Sequence, residues 1–145
     1  MRLVVQRSEK SNVVVDNKEV GSINFGLVVL VGFTNTDTEK DIDYLVKKLV
    51  NLRIFDDENH IMNKSVLDVN GSVLSISQFT LYADCKKGNR PSYINAMKAD
   101  EASLMYDLFN KKLSEYVRVE TGIFQSDMTV SITNSGPVTI LLESE

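Results

Sequence analysis

Tryptophan is absent from the 145-residue chain, and histidine and cysteine occur once each, as His60 and Cys85. One cysteine cannot close an internal disulfide, which fits a reducing compartment. One histidine and one cysteine cannot build a multi-histidine or cysteine-rich metal site within one chain. A Ser-His-Asp arrangement would have to use His60, and a Cys-His pair would need His60 with Cys85. Long apolar runs are missing too. The longest, Leu27 to Val31 followed by Gly32 and Phe33, falls far short of a membrane span. The opening Met1 to Arg7 carries Arg2 and Arg7 and lacks the apolar core of a signal peptide. A cytoplasmic protein with no membrane partner is the expectation. Acidic residues outnumber basic ones, 20 to 16, giving a net charge of −4, which argues against general nucleic-acid binding but not against a local contact.

Hydrophobic residues make up 43% of the chain and charged residues 25%, a profile that places it among folded domains rather than disordered segments. Strands are predicted at Leu3–Val5 and Val13–Val15, with a hairpin turn at Asp16-Asn17-Lys18, then around Val20 and Ile23, and over Leu27–Val31. A helix follows, with Thr36 as N-cap and Glu39 completing a capping box. Its apolar stripe is Ile42, Leu45, Val46, Leu49 and Val50, with Lys40, Asp43, Lys47 and Lys48 opposite. Arg53–Phe55 reads as a short strand. Asn70-Gly71 reads as a hairpin turn leading into a strand from Ser72 to Leu81. A second helix is predicted from Ala99 to Tyr116, with Ala102, Met105, Phe109, Leu113 and Tyr116 on one face. Met128, Val130 and Ile132 alternate along a further strand, and Val138–Leu142 resumes after Asn134-Ser135-Gly136-Pro137. The expected fold is one α+β domain over residues 1–145, mainly antiparallel and barrel-like, with two main helices.

Few residues carry evident chemistry. His60 has the titration range of a general base, but Asp56-Asp57-Glu58-Asn59-His60 has the composition of a solvated turn. Cys85 lies beside Lys86 and Lys87, with no second cysteine to assist it, and reads as an incidental thiol. Lys86, Lys87 and Arg90 sit on a glycine-containing loop, either a solvated loop or a phosphate contact. The two prolines are more telling. Pro91 follows Gly88-Asn89-Arg90, and Pro137 falls between two strand-like segments, where proline is confined to edges, strand starts or bulges. A Gly-Pro step there exposes backbone carbonyls to whatever docks above it.

Two motifs, Ser77-Gln78-Phe79-Thr80-Leu81 and Asn134-Ser135-Gly136-Pro137-Val138-Thr139, resemble those of the D-aminoacyl-tRNA deacylase family. Supporting matches are Met1-Arg2-Leu3-Val4-Val5-Gln6-Arg7, Gly88-Asn89-Arg90-Pro91-Ser92, and Thr121-Gly122-Ile123-Phe124 leading to Asp127-Met128. They run in family order along essentially the whole chain. The resemblance implies a homodimeric editing hydrolase without metal or cofactor, which cleaves the ester joining a D-amino acid to the acceptor end of tRNA; DNA is not an implied partner. It places Ser77, Gln78, Phe79 and Thr80 at the reaction site. It makes Gly136-Pro137 a cis pair that screens chirality in the partner subunit, with Arg7 orienting it, and carries over Met128 as a substrate contact. Proton handling falls to the substrate's own 2′-hydroxyl, with Thr80 as direct nucleophile the alternative. Lys86, Lys87 and Arg90 are assigned to tRNA. The departures are Gln125-Ser126, where small Gly or Ala residues are commoner, Ser135, where Asp is frequent, and Ala99, near a usual Pro. Other readings remain open: a relative tuned to L-alanine with a trans Gly-Pro, a non-catalytic tRNA-end or small-molecule binder, and a thiol- or histidine-dependent hydrolase.

Overall fold

Alternation of Leu3 and Val5 with Arg2, Val4 and Gln6 gives a strand with one apolar face. In the computed structural model, which describes residues 1–144, that strand is β1 (Arg2–Ser8). β2 (Ser11–Val15) and β3 (Lys18–Ile23) form the expected hairpin, with Asp16 and Asn17 at φ 48° and 62°. The short polar side chains of Asp and Asn tolerate such angles. β4 (Gly26–Gly32), α1 (Glu39–Val50), β5 (Phe55–Asp56), β6 (Met62–Lys64) and β7 (Ser72–Ser77) follow. The chain then makes a 3₁₀ turn (Phe79–Tyr82), α2 (Ala99–Ser114), β8 (Val119–Thr121), β9 (Thr129–Ser131) and β10 (Asn134–Glu143).

The main sheet has the order β10-β1-β4-β7-β8, and a smaller one the order β3-β2-β9. Helices cover one face of the main sheet. The whole predicted stripe of α1 is buried there, with Ala102, Tyr106, Phe109 and Leu113 of α2, against Leu3, Val5, Leu27, Val29, Val31 and Val73. Truncating one such leucine to alanine costs about 2–5 kcal/mol. On the other face Val28, Leu74 and Ile76 pack against Val13 and Ile23 of the small sheet. β4 is therefore apolar on both faces, which explains its unbroken run Leu27–Val31.

The structure amends several expectations. The sheets stay open and do not close into a barrel. Most pairings are antiparallel, but β4 with β7 and β7 with β8 are parallel, because α1 and α2 serve as crossovers between them. Helix α1 is capped by Thr38, not Thr36. The Asp37 amide donates to Thr34 O at 3.1 Å, and its carboxylate accepts from the Thr34 amide, so Thr34–Asp37 is a turn of its own. The Asp41 carboxylate instead accepts the Thr38 amide and hydroxyl at 2.7 and 2.8 Å. Partial burial opposes its ionisation, but these hydrogen bonds outweigh that and hold the carboxyl below the usual range. Asn70-Gly71 does not turn a hairpin. Asn70 has φ 51°, its amide donates to Leu67 O, and that of Gly71 donates to Val66 O, the two bonds that end a helical turn. The short strand predicted at Arg53–Phe55 lies at Phe55–Asp56. Helix α2 ends at Ser114, short of the predicted Tyr116, which lies exposed beyond it, while Tyr106 is buried. β10 includes Gly136-Pro137 as a bulge: Gln6 pairs with Thr139 and Ser8 with Asn134, so the residues between loop out.

Candidate active site

The strand predicted to run to Leu81 stops at Ser77, and the motif Ser77–Leu81 bends into the 3₁₀ turn. The Gln78 amide makes the last bond to β4, donating to Val31 O at 2.7 Å. Gly32 makes the bend possible, since a Cβ there would meet Gln78 O and Leu81 Cβ, each at 3.0 Å. Phe79 and Thr80 begin the turn, where amides have no acceptor inside it. Both side chains are exposed, and Gln78 Nε2 donates to Thr80 Oγ1 at 2.6 Å. Arg2 secures the far end, donating from Nη1 to Leu81 O at 2.9 Å, with its guanidinium 4.6 Å from the Tyr82 ring centroid. Burial, with Asp37 adding to it, pushes the Tyr82 phenol up to about 12, so it stays protonated. The near end is braced from below, where the Tyr106 hydroxyl donates to Ser75 O at 2.7 Å.

Beside this turn lies a cavity of about 460 Å³, lined by Ser77, Gln78 and Phe79 on one side and Tyr93–Ala99 residues and Phe124-Gln125 on the others. Val31, Phe33 and Ala102 complete it. Phe79 and Tyr93 meet edge to face at its mouth, ring centroids 5.0 Å apart. Among the described residues lining it there is no histidine, cysteine, aspartate or glutamate. Its chemistry must therefore come from backbone dipoles, hydroxyls, carboxamides and Lys98.

Gly136 and Pro137 do not line this cavity; they stand exposed on the β10 bulge, joined by a cis peptide. Gly136 has φ +110°, and a Cβ there would meet Arg7 Nη2 and Val138 Cγ2, each at 2.8 Å. Only glycine fits. Arg7 ties the bulge down, donating from Nε to Ser135 O at 3.3 Å and from Nη1 to Ile54 O at 3.0 Å and Asp56 Oδ1 at 3.3 Å. The Asn134 carboxamide donates to the Arg7 and Val138 carbonyls, both at 3.0 Å, and so closes the base of the bulge.

The remaining candidates divide. Lys86, Lys87 and Arg90 are exposed on a loop that leaves the 3₁₀ turn and returns to the cavity mouth, pinned by the reciprocal Asp84–Ser92 backbone bonds of 2.8 and 2.9 Å. Met128 packs against the second core, near Gly122, and is not part of the cavity. His60 lies exposed in the β5–β6 hairpin at φ 60°, and Cys85 is exposed; neither lines the cavity. Arg2, Tyr93, Lys98 and Tyr106 were not singled out from the sequence. Tyr106 had a trace there, standing at i+4 from Ala102, whereas the cavity role of Tyr93 and Lys98 had none.

Fold and site together define a small α+β protein whose site is a backbone turn beside an apolar cavity, with a second, separate glycine-proline bulge. The profile of the D-Tyr-tRNA(Tyr) deacylase family matches residues 4–143, and the chain belongs to that family. It is 55% identical to a D-aminoacyl-tRNA deacylase of Bacillus cytotoxicus and 56% identical to one of Bacillus cereus, each over 146 positions that cover the whole of both proteins. The solved structure of a protein named c-Myc DNA Unwinding Element Binding Protein superposes with a TM-score of 0.95 at 39% identity, covering 100% of this chain and 99% of that one. A probable eukaryotic D-amino acid tRNA deacylase superposes with a TM-score of 0.85, covering 99% of this chain and 98% of the other. At 18% identity that likeness speaks for the fold alone.

Proposed function

We propose that the chain is a cytoplasmic D-aminoacyl-tRNA deacylase, one domain over its length, which hydrolyses the ester between a D-amino acid and the terminal adenosine of tRNA. The observation that carries the reading is the pair of free turn amides at Phe79 and Thr80 beside a cavity that, among the described residues, is lined by no histidine or carboxylate. An aminoacyl ester is already activated. Water adds to its carbonyl, the oxyanion lies against the two amides, and the C–O bond to the ribose breaks to give amino acid and tRNA. Each such donor is worth about 3 kcal/mol in the transition state. The neighbouring 2′-hydroxyl relays the proton from the attacking water to the leaving 3′-oxygen, a task for which the cavity offers no side chain. Thr80 is not the nucleophile in this scheme, since its hydroxyl partners a carboxamide rather than a base.

The Gly136-Pro137 bulge acts as the chiral screen in the site of a second copy. Its support is position: the bulge stands exposed and outside its own chain's cavity. The sheet face beside it presents Leu141, 57% exposed, in register with Val4 and Leu30. That row suits packing against a second copy in a homodimer. A screen that rejects an L side chain by collision cannot reject glycine, which has none, so glycyl-tRNA is a substrate too. Lys86, Lys87 and Arg90 contact acceptor-end phosphates.

A second reading, DNA binding, is suggested by the protein named for binding a DNA element, which superposes at 39% identity. One assay separates the two. D-Tyrosyl-tRNA, glycyl-tRNA and D-tyrosyl-tRNA ending in 2′-deoxyadenosine are incubated at matched enzyme. Release from the first two, and loss of at least about 100-fold with the third, is expected. Glycyl-tRNA left untouched removes the collision screen, and an undiminished rate on the deoxy substrate removes the 2′-hydroxyl. Duplex DNA retained with no amino acid released favours the second reading.

A further inference from the structure

The turn Ile123–Ser126 forms one wall of the cavity and carries a backbone outlier. The Ser126 amide donates to Ile123 O at 3.2 Å, closing a four-residue turn whose third residue, Gln125, has φ 59°. That position favours glycine or asparagine, and a longer side chain there is strained. Gln125 nevertheless occupies it, lines the cavity and is exposed at its rim. Gln78, the other carboxamide of the cavity, is committed to Thr80 Oγ1 at 2.6 Å. Strain kept at a site wall, where a glycine would fit freely, marks a residue retained for what it touches.

We propose that Gln125 is a specificity-determining residue whose carboxamide reads the edge of the terminal adenine, seated in the apolar cavity. This rests on the deacylase reading above. The cavity walls, among them Val31, Phe33, Met97 and Phe124, suit a flat ring and offer no carboxylate to bind the substrate's α-ammonium. A glutamine carboxamide presents a donor and an acceptor side by side, the complement of the N6 amine and adjacent ring nitrogen of adenine. The ester, held against the Phe79 and Thr80 amides of the adjoining turn, is joined to such a base through one ribose.

The test measures equilibrium binding of non-hydrolysable D-tyrosyl amide analogues of adenosine and of purine riboside, which lacks the N6 amine. Wild type, Gln125→Gly and Gln125→Glu are compared, with D-tyrosyl-tRNA cleavage run alongside. Wild type is expected to prefer the adenosine analogue by about tenfold, the size of one good base-edge contact. Gln125→Gly should lose that preference while melting no lower than wild type, because glycine suits the turn. Gln125→Glu keeps the acceptor that meets the N6 amine but turns the donor to the ring nitrogen, which both analogues carry, into a second acceptor, so it should weaken both analogues while the adenosine preference persists. The proposal is overturned if Gln125→Gly binds both analogues as wild type does, weakens both equally, or changes preference with the amino-acid side chain instead of the base. Because binding is read without turnover, wild type that shows the base preference but cleaves nothing contradicts the deacylase reading and leaves the Gln125 contact standing.

Discussion

Two segments of one sheet carry the candidate site, and they are held differently. The Phe79–Tyr82 turn continues β7, a strand buried on both faces, and its main-chain position follows from the packing of Leu74 and Ile76 below. The Gly136-Pro137 bulge lies on β10, an edge strand, with little packed against it. Polar ties from Arg7 and Asn134 hold it instead. Packing gives the turn a rigid place from which backbone amides can be aimed. The bulge is held mainly by polar ties and projects from the surface, as the proposed screen for a second copy requires. The turn should tolerate side-chain changes at its exposed positions, and the bulge should tolerate almost none.

That contrast breaks most readily at Gly136. Gly136→Ala brings a Cβ to within 2.8 Å of Arg7 Nη2 at a φ of +110°. It is expected to lower kcat/KM for D-tyrosyl-tRNA by at least about 100-fold, the usual cost of misplacing a positioning element, while the fold, read by circular dichroism, persists. Activity within a few-fold of wild type would mean the bulge has no part in the site. Next comes Arg7→Lys, which keeps the charge but cannot span Ser135 O, Ile54 O and Asp56 together. A loss of about tenfold in kcat/KM is expected, since a point charge does not replace a planar fork. Neutralising Lys86, Lys87 and Arg90 together should raise KM several-fold with kcat unchanged. It should also flatten the dependence of log K on log salt by about 2 to 3, roughly 0.7 to 0.9 per phosphate contact; an unchanged slope would return the loop to plain solvation. The smallest effect is expected at Thr80→Val, which should leave kcat within about threefold, whereas a nucleophile's removal costs many orders of magnitude.

Much of this architecture was legible in the chain. The α1 stripe, the Asp16-Asn17 hairpin and the run Leu27–Val31 follow from period and turn chemistry, and all are found where those rules place them. The parallel pairing of β7 was not legible, because Ser72–Ser77 reads the same whichever neighbour it meets, and Asn70-Gly71 serves a helical turn as well as it does a hairpin. The segment Ser72–Leu81 reads as strand to its end because Val73, Ile76, Phe79 and Thr80 are β-branched or aromatic. Its bend depends on Gly32, far away in sequence, leaving room. Arg7 and the Gly-Pro bulge were named from family resemblance, and their contact within one chain rests on pairing between the first and last strands. The cavity wall from Tyr93 to Ala99 has no local pattern at all, since a loop and a helix start form it.

The central claim, an editing hydrolase that selects by chirality, is tested most directly by deacylation of matched D- and L-tyrosyl-tRNA by the wild-type chain. Tyrosine should be released from the D ester, with the L ester decaying no faster than in buffer. Equal cleavage of both esters, cleavage of the L ester alone, or release from neither would contradict it.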